Sequence, residues 1–281
     1  MVWGSSNTAT NTNASTRGIG NNCSGRYSTV FGGGNETSGE YTTIWGEDNI
    51  SNVDYSTLWG QNNECSGENS TIWGDNNESA AENNTTFGKN NVNNGENSSV
   101  WGFNNSITGS GNTATVWGSS NVATCSGATV FGFNNIANGS SSACFGEGNI
   151  VNSTRELAFG RFNDTIVDVN YPYIWDGDDI LLSIGNGSSE TNRNNALTLL
   201  KNGNLGIGLI VPDYDLHLQA NSAAKPSSSS WTVASDSRLK KMLLLLSMAS
   251  KLFFLLILYG LPILEKRKCL KNGQLGQSLK N

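Results

Sequence analysis

Hydrophobic residues recur along residues 1–166 in a short and strictly periodic pattern. An aromatic residue followed by glycine returns every 14 residues, with one spacing of 16 between Gly102 and Gly118. The two positions before the aromatic are commonly Thr and then Val, Ile or Leu, residues that favour β-strands. The pattern therefore predicts one short strand per unit. The pairs are Trp3-Gly4, Phe31-Gly32, Trp45-Gly46, Trp59-Gly60, Trp73-Gly74, Phe87-Gly88, Trp101-Gly102, Trp117-Gly118, Phe131-Gly132, Phe145-Gly146 and Phe159-Gly160, and Arg17-Gly18 takes the remaining slot.

Two polar or small positions keep the same period. Asparagine stands three residues after every one of these glycines, and a second glycine often stands seven residues after them. Glycine adopts turn conformations that other residues resist, so two turns per unit are predicted. Stacked asparagine amides can hydrogen-bond from rung to rung. The asparagines are Asn7, Asn21, Asn35, Asn49, Asn63, Asn77, Asn91, Asn105, Asn121, Asn135, Asn149 and Asn163.

A unit of this length is too short for a helical repeat and fits one coil of a parallel β-solenoid. Each coil adds about 4.8 Å along the axis, so twelve coils predict a rod of about 58 Å. The predicted fold class is all-β, with residues 1–166 as a β-roll repeat domain. Because one coil encloses little core, association with further copies is physically reasonable.

The repeat resembles the head domain of trimeric autotransporter adhesins. Those heads use 14-residue units of the form G-x-x-S-x-A-x-G-x-x-S-x-A-I-G in a left-handed parallel β-roll. In this chain Asn takes the first Ser position, and Trp or Phe replaces the Ile before glycine. The resemblance covers about 165 residues and implies a homotrimer whose rolls pack against one another.

The column of aromatic residues has two interpretations. Exposed Trp and Phe rings could stack on the sugar rings of a surface glycan. Alternatively, the rings form a packing ladder that faces the interior of the coil or a neighbouring subunit. We expect the packing ladder, because an exposed aromatic stripe of this length favours aggregation.

The repeat period is lost after residue 166, and residues 167–233 are predicted to form a β-rich connector. Tyr171–Trp175 and Ile180–Gly185 have the composition of strands. Asn202-Gly203 is a strong turn signal for a β-hairpin within Asn194–Gly208. This segment resembles the connector that precedes the chaperone domain of many tail fibres.

Residues 234–241, Ala-Ser-Asp-Ser-Arg-Leu-Lys-Lys, follow this connector. They resemble the start of the endosialidase-type intramolecular chaperone, a self-cleaving domain that assembles trimeric spikes. A serine hydroxyl becomes an effective nucleophile when a lysine of lowered pKa takes its proton. The resemblance implies Ser235 as nucleophile, Lys240 as base and cleavage of the Ala234–Ser235 bond. As an alternative, Ser235 caps a polar helix.

The composition changes abruptly after Lys241. Residues 242–281 are dominated by Leu and Lys, with Phe and Ile within the apolar part, and residues 242–264 form a mostly apolar run that is long enough to span a bilayer. Reading of A/T-rich codons out of frame would produce the same composition. The segment is therefore interpreted as a frameshifted tail, with an apolar membrane-spanning helix as the alternative. A broken frame would remove the chaperone and its self-cleavage activity.

Charge and cysteine content narrow the classes of partner. The net charge of −6 argues against nucleic acid as a partner, because phosphate binding requires clustered Lys and Arg. Cys23, Cys65, Cys125, Cys144 and Cys269 lack the spacing of metal ligands. We expect buried free thiols, and we predict no metal and no cofactor.

These observations predict a structural fibre or adhesion protein of the viral tail-fibre type, located in the virion. Its expected partners are two further copies of itself and a glycan or receptor on the host surface. The first alternative is a cell-surface adhesin anchored in the membrane by residues 242–264. The second is a glycan-degrading spike, which would need a pair of positioned carboxylates. The leading prediction assigns the chain at most one enzymatic activity, self-cleavage by Ser235 and Lys240.

Overall fold

A computed structural model describes residues 1–109, 111–166 and 173–220. Within these ranges the secondary structure consists of short β-strands and turns. In chain order the strands are β1 (Val2–Ser5), β2 (Thr8–Ala9), β3 (Ser15–Ile19), β4 (Asn22–Cys23), β5 (Thr29–Gly33), β6 (Glu36–Thr37), β7 (Thr43–Glu47), β8 (Ile50–Ser51), β9 (Thr57–Gln61), β10 (Glu64–Cys65), β11 (Thr71–Asp75), β12 (Glu78–Ser79), β13 (Thr85–Lys89), β14 (Val92–Asn93), β15 (Ser99–Phe103), β16 (Ser106–Ile107), β17 (Thr115–Ser119), β18 (Val122–Ala123), β19 (Thr129–Phe133), β20 (Ile136–Ala137), β21 (Ala143–Glu147), β22 (Ile150–Val151), β23 (Leu157–Arg161), β24 (Ile180–Asn186), β25 (Asn195–Leu200), β26 (Leu205–Ile207) and β27 (Leu216–Leu218).

The strands form two sheets that lie on the two sides of a parallel β-solenoid. The odd-numbered strands β1 to β23 pair in sequence order and continue into β24–β27, which makes a 16-stranded sheet. The even-numbered strands β2 to β22 form an 11-stranded sheet. Equivalent residues stack directly, as Trp73 on Phe87 and Gly74 on Gly88 illustrate. The predicted parallel β-solenoid with coils of about 14 residues is therefore confirmed.

The one coil with 16 residues keeps the strand register. Ser99 pairs with Thr115 and Gly102 with Gly118, as in every other coil. The two extra residues are accommodated beyond β16, in the turn that contains Gly109 and Thr113, both of which have positive φ angles. An insertion at a turn leaves the ladders of both sheets intact, whereas an insertion in a strand would shift the faces of its side chains.

The turns differ from the prediction that the glycine after each aromatic residue forms one. Gly74 lies inside β11 with a φ of 137°. The turn comes two residues later, at Asn76, whose φ is 57°. A second left-handed residue, such as Tyr55 at 57°, makes the other turn of the coil. The glycine is required inside the strand because a Cβ at Gly74 would overlap the carbonyl oxygen of Gly88.

The interior of the solenoid is narrow and contains two apolar clusters. The first extends from Ala14 to Ile72 and the second from Val100 to Ala158. Between them the inward positions carry Thr86 and Asn93, and the Asn93 amide donates to the Thr86 hydroxyl at 3.4 Å. Polar side chains thus separate the two apolar clusters, and Asn93 Oδ1 is buried without a hydrogen-bond partner among the described residues.

Strands β24 to β27 cover the last coil of the solenoid. β24 pairs in parallel with β23, and β25 and β26 then add antiparallel neighbours. The chain reverses between β25 and β26 at Asn202-Gly203, where Gly203 has a φ of 98°. This confirms the predicted hairpin. The described residues of Met1–Ser222 form one compact unit.

The structure contradicts one strand predicted in the connector and does not describe the apolar tail. The predicted strand at Tyr171–Trp175 is wrong for its described residues 173–175, which lie in a turn and irregular structure. Pro172 has no backbone N–H for a ladder hydrogen bond, which disfavours a strand there. Throughout residues 1–109, 111–166 and 173–220, no helix has the length and apolar character needed to cross a bilayer. Residues 242–264 lie outside the described residues.

Candidate functional site

The aromatic residues lie on the outer face of the long sheet. Successive side chains of a strand point to opposite faces. In β11 the Ile72 side chain is fully buried in the coil, whereas Trp73 is 42% exposed. The inward alternative for the aromatic column is therefore wrong. The residue before each aromatic occupies the interior, and the coil has no room there for a second large side chain.

Ten rings on successive coils form a continuous stack, which we call the aromatic column. Neighbouring ring centroids are between 4.8 and 5.6 Å apart. The ring planes of Trp45, Trp59 and Trp73 are parallel within 4°, so a neighbouring ring lies against each face of Trp59. The column consists of Phe31, Trp45, Trp59, Trp73, Phe87, Trp101, Trp117, Phe131, Phe145 and Phe159.

Parallel stacking is interrupted at several rings of the column, and most strongly at Trp117. Its ring is inclined by 44° to that of Trp101 and by 66° to that of Phe131, and Phe87 is inclined by 45° and 43° to its two neighbours. A shallow apolar groove of about 480 Å³ lies between Trp101, Trp117 and Phe131, over the backbone of the glycine that follows each of them. Phe103 and Phe133 lie on the same outer face and are 49% and 52% exposed, so the apolar surface is wider here.

Two further columns flank the aromatic column on the outer face. On one side lie hydroxyl side chains, which make no hydrogen bond to any described residue: Thr29, Thr43, Thr57, Thr71, Thr85, Ser99, Thr115 and Thr129. On the other side charged residues pair between rungs. Lys89 lies 2.8 Å from Asp75, and Arg161 lies 3.0 Å from Glu147. The face therefore combines ring surfaces with free hydrogen-bonding groups.

The asparagine ladder holds this face in register. Asn77 donates through Nδ2 to Asn63 Oδ1 at 3.0 Å and to the Gly88 carbonyl at 2.8 Å. Its backbone N–H also donates to Asn63 Oδ1, at 3.1 Å. Each asparagine therefore links three successive coils next to the strand that carries the aromatic residue. The predicted rung-to-rung bonding of these amides is confirmed.

A second aromatic stack lies at the turn that follows the short sheet. Tyr27, Tyr41 and Tyr55 stack with centroid separations of 5.0 and 5.1 Å. The residue before each of them forms a mainly acidic column, in which Arg26 pairs with Glu40 at 2.7 Å. The sequence analysis missed this stack, although the three tyrosines recur with the same spacing of 14 as the tryptophans.

A buried polar cluster closes the end of the solenoid. Glu156 is 2% exposed, and its Oε2 accepts hydrogen bonds from the backbone N–H groups of Asn152 and Ser153 at 2.8 and 2.9 Å. Its Oε1 has no hydrogen-bond partner among the residues that the structure describes. Burial raises the pKa of Glu156 to about 7, although these hydrogen bonds and the charge of Lys201 act in the opposite direction. Lys201 is fully buried and lies 2.9 Å from Asp179.

The candidate residues for self-cleavage, Ser235 and Lys240, lie outside the described residues, so their role remains a prediction. The four described cysteines are buried and free, as expected from the sequence. Burial raises the pKa of the Cys65 thiol to about 11, which keeps it protonated at neutral pH. The described part of the chain contains no group of His, Cys, Asp and Glu side chains suited to a metal ion.

Comparison with known proteins assigns no family to the chain. A scan against protein-family models finds none that matches, and a search of curated proteins finds no match either. The functional argument therefore rests on the surface geometry of the solenoid.

Proposed function

We propose that this chain is a structural fibre protein of the viral tail-fibre type, which presents a left-handed, trimeric β-solenoid for attachment to a host surface. The observation that carries the proposal is the aromatic column, whose rings contact one another from Phe31 to Phe159 along the outer face of the solenoid. Each coil repeats the contacts of the one before it. The fold thus supplies length and a repeated surface, which are the requirements of a fibre.

The exposed apolar surface supports contact with other molecules. Soluble monomers seldom expose large contiguous apolar patches, and such patches mark interaction sites. The solenoid has two. One is the aromatic column on the long sheet. The other is a half-buried aliphatic strip on the outer side of the short sheet, formed by Val122, Ile136 and Ile150; Ser106 separates it from Val92.

We assign the aliphatic strip to the subunit contact and the aromatic column to the host surface. Aliphatic side chains beside amides that already bond to one another, as Asn138 does to Asn152, suit a permanent interface between identical subunits. Rings flanked by free hydroxyls suit a polar ligand that also has apolar faces, as a glycan does. The two surfaces belong to different sheets, so assembly leaves the aromatic column accessible.

Solution mass and cell attachment of the full chain test this proposal. Sedimentation velocity should give three times the chain mass of 29.9 kDa, and electron micrographs should show short rods. Fluorescently labelled protein should bind some members of a panel of bacterial and eukaryotic cells. Ile136→Glu combined with Ile150→Glu should produce monomers, because charges buried at an interface are strongly unfavourable.

Wild-type protein that remains monomeric, or that binds no cell type, would overturn the respective part of the proposal. Glu36→Gln is the matched control, because Glu36 lies at an equivalent outward position of the short sheet in the other half of the solenoid. It should leave the trimer intact. Mass spectrometry of the same preparations would detect cleavage before Ser235.

A further inference from the structure

We infer that the groove around Trp117 is a binding site for a neutral, extended oligosaccharide of two or three hexopyranose units. This inference rests on the proposed function and specifies the chemistry of its ligand. It concerns one short stretch of the aromatic column, formed by Trp101, Trp117 and Phe131.

The groove and the steepest ring inclination of the aromatic column coincide in this stretch. A sugar stacks through its C–H groups on the face of an aromatic ring, and a neighbouring ring that lies parallel covers that face. Trp59 has a parallel ring on each side, at 5.0 and 4.8 Å, whereas both neighbours of Trp117 are inclined, by 44° and 66°. Phe87 has inclined neighbours as well, but the charged Lys89 follows it on the same outer face.

The surroundings of the groove supply polar contacts. The hydroxyls of Thr115 and Thr129 lie on the strands that carry Trp117 and Phe131, two residues before each ring and on the same face. Neither side chain is hydrogen-bonded to a described residue. Ser119 lies on the other side of Trp117. Hydroxyls on both sides of an apolar ring match the hydroxyl groups around the rim of a pyranose.

Charge determines which class of glycan fits. On the outer face of β15, β17 and β19 none of the side chains is ionisable. The nearest ionic groups of the same column, Lys89 and Glu147, are each neutralised by an ion pair on the adjacent rung. An anionic sugar would meet no cation here, and the chain has a net charge of −6. A neutral sugar needs no ion pair, so the absence of a cation at the groove does not weaken its binding.

The direction of the ligand follows from the rung spacing. The centroids of successive rings in this stretch are 4.9 and 5.5 Å apart. One hexopyranose of an extended chain has nearly this length. A linear oligosaccharide that lies along the fibre axis therefore places successive sugars over successive coils.

An array of neutral and anionic oligosaccharides, probed with the full chain, tests the inference. At least one neutral hexopyranose oligomer should bind, and calorimetry should show about tenfold weaker binding of that oligomer to Trp117→Ala, the loss of one stacking contact. Trp117→Phe keeps a ring and should retain binding. Trp59→Ala, where the neighbouring rings are parallel, is the matched control and should bind as the wild type does. Thermal unfolding of each variant verifies that it is folded.

Several results would overturn the inference. These are binding of anionic glycans alone, equal losses in Trp59→Ala and Trp117→Ala, or attachment of the chain to cells without binding to any oligosaccharide. The last result leaves the proposed attachment function intact. Failure to attach to any cell contradicts the proposed function instead. Dissociation of trimers by Trp117→Ala would identify the groove as a subunit interface.

Discussion

The asparagine ladder inside the solenoid and the aromatic column outside it follow the same period but tolerate change very differently. Every coil has asparagine at the ladder position, whereas the outer position accepts Trp, Phe and, at Arg17, a charged residue. Each asparagine makes several directional hydrogen bonds that no other side chain reproduces. The rings only stack on their neighbours. The directional hydrogen bonds of the ladder require asparagine in every coil, whereas stacking requires only an aromatic side chain.

The largest effect is expected for a change inside the strand. Gly74→Ala would place a Cβ against the Gly88 carbonyl at a φ of 137°. The strain and displacement of the ladder should lower the free energy of unfolding by about 4 kcal/mol or more. Urea unfolding monitored by circular dichroism measures it. Gly203→Ala is the control, because its φ is also positive but nothing lies within 4 Å of its Cβ; an equal loss at both sites would refute the steric argument.

The asparagine ladder should be next in size. Asn77→Ala leaves the Gly88 carbonyl and the Asn91 N–H without this partner, and Asn63 Oδ1 keeps only the backbone N–H of residue 77. Buried groups left unsatisfied cost about 1–3 kcal/mol each, so we expect a loss of about 3 kcal/mol in the same unfolding experiment. Asn52→Ala removes an exposed amide that only accepts from the Ser38 hydroxyl. It should be nearly neutral, and a comparable loss there would contradict the special role of the ladder.

Glu156 should make the buried end of the solenoid sensitive to pH. Its pKa is raised from 4.5 to about 7 by burial, so the folded chain holds the proton more tightly than the unfolded chain. This stabilisation is complete below the unfolded pKa and is lost as the pH rises through 7, a change of about 3 kcal/mol.

Urea unfolding between about pH 4 and pH 8 measures this dependence. Glu156→Gln mimics the protonated carboxyl and should lose that part of the pH profile, which makes it more stable than the wild type at the alkaline end. Glu36→Gln, on the exposed outer face, should follow the wild-type profile. A Glu156→Gln profile parallel to that of the wild type would disprove the assignment.

The smallest effect is expected on the outer face. Lys89→Ala breaks the ion pair with Asp75, whose side chains are 56% and 39% exposed. Solvent screens such a pair, so the loss of stability should stay below about 1 kcal/mol. High salt should reduce the difference between wild type and variant further. A larger loss that persists in high salt would show that the outer face contributes to stability as strongly as the interior does.

The sequence predicted most of the solenoid and less of its surface. The 14-residue period predicted the coil, the Asn77 column predicted the ladder, and Asn202-Gly203 predicted the hairpin. Of the two packing alternatives for the aromatic column, the inward one was wrong, because strand alternation places Ile72 inside and Trp73 on the outer face, and contact with a neighbouring subunit stays a prediction. The same periodicity contained the signal for the stacked tyrosines at Tyr27, Tyr41 and Tyr55.

The sequence by itself determined the period, the strand-forming positions and the residues that stack on their own equivalents, because all of these repeat at a fixed spacing. Only the tertiary structure decided the tilt of the rings around Trp117 and the burial of Glu156 close to Lys201, which is 45 residues further along the chain. Ring tilt depends on how the neighbouring rings pack, since the Trp101–Trp117 pair is inclined by 44° whereas the Trp45–Trp59 pair is parallel. Burial of a charge depends on which strands cover the last coil. Neither the ring tilt nor the burial of Glu156 repeats along the chain, so the 14-residue period does not predict them.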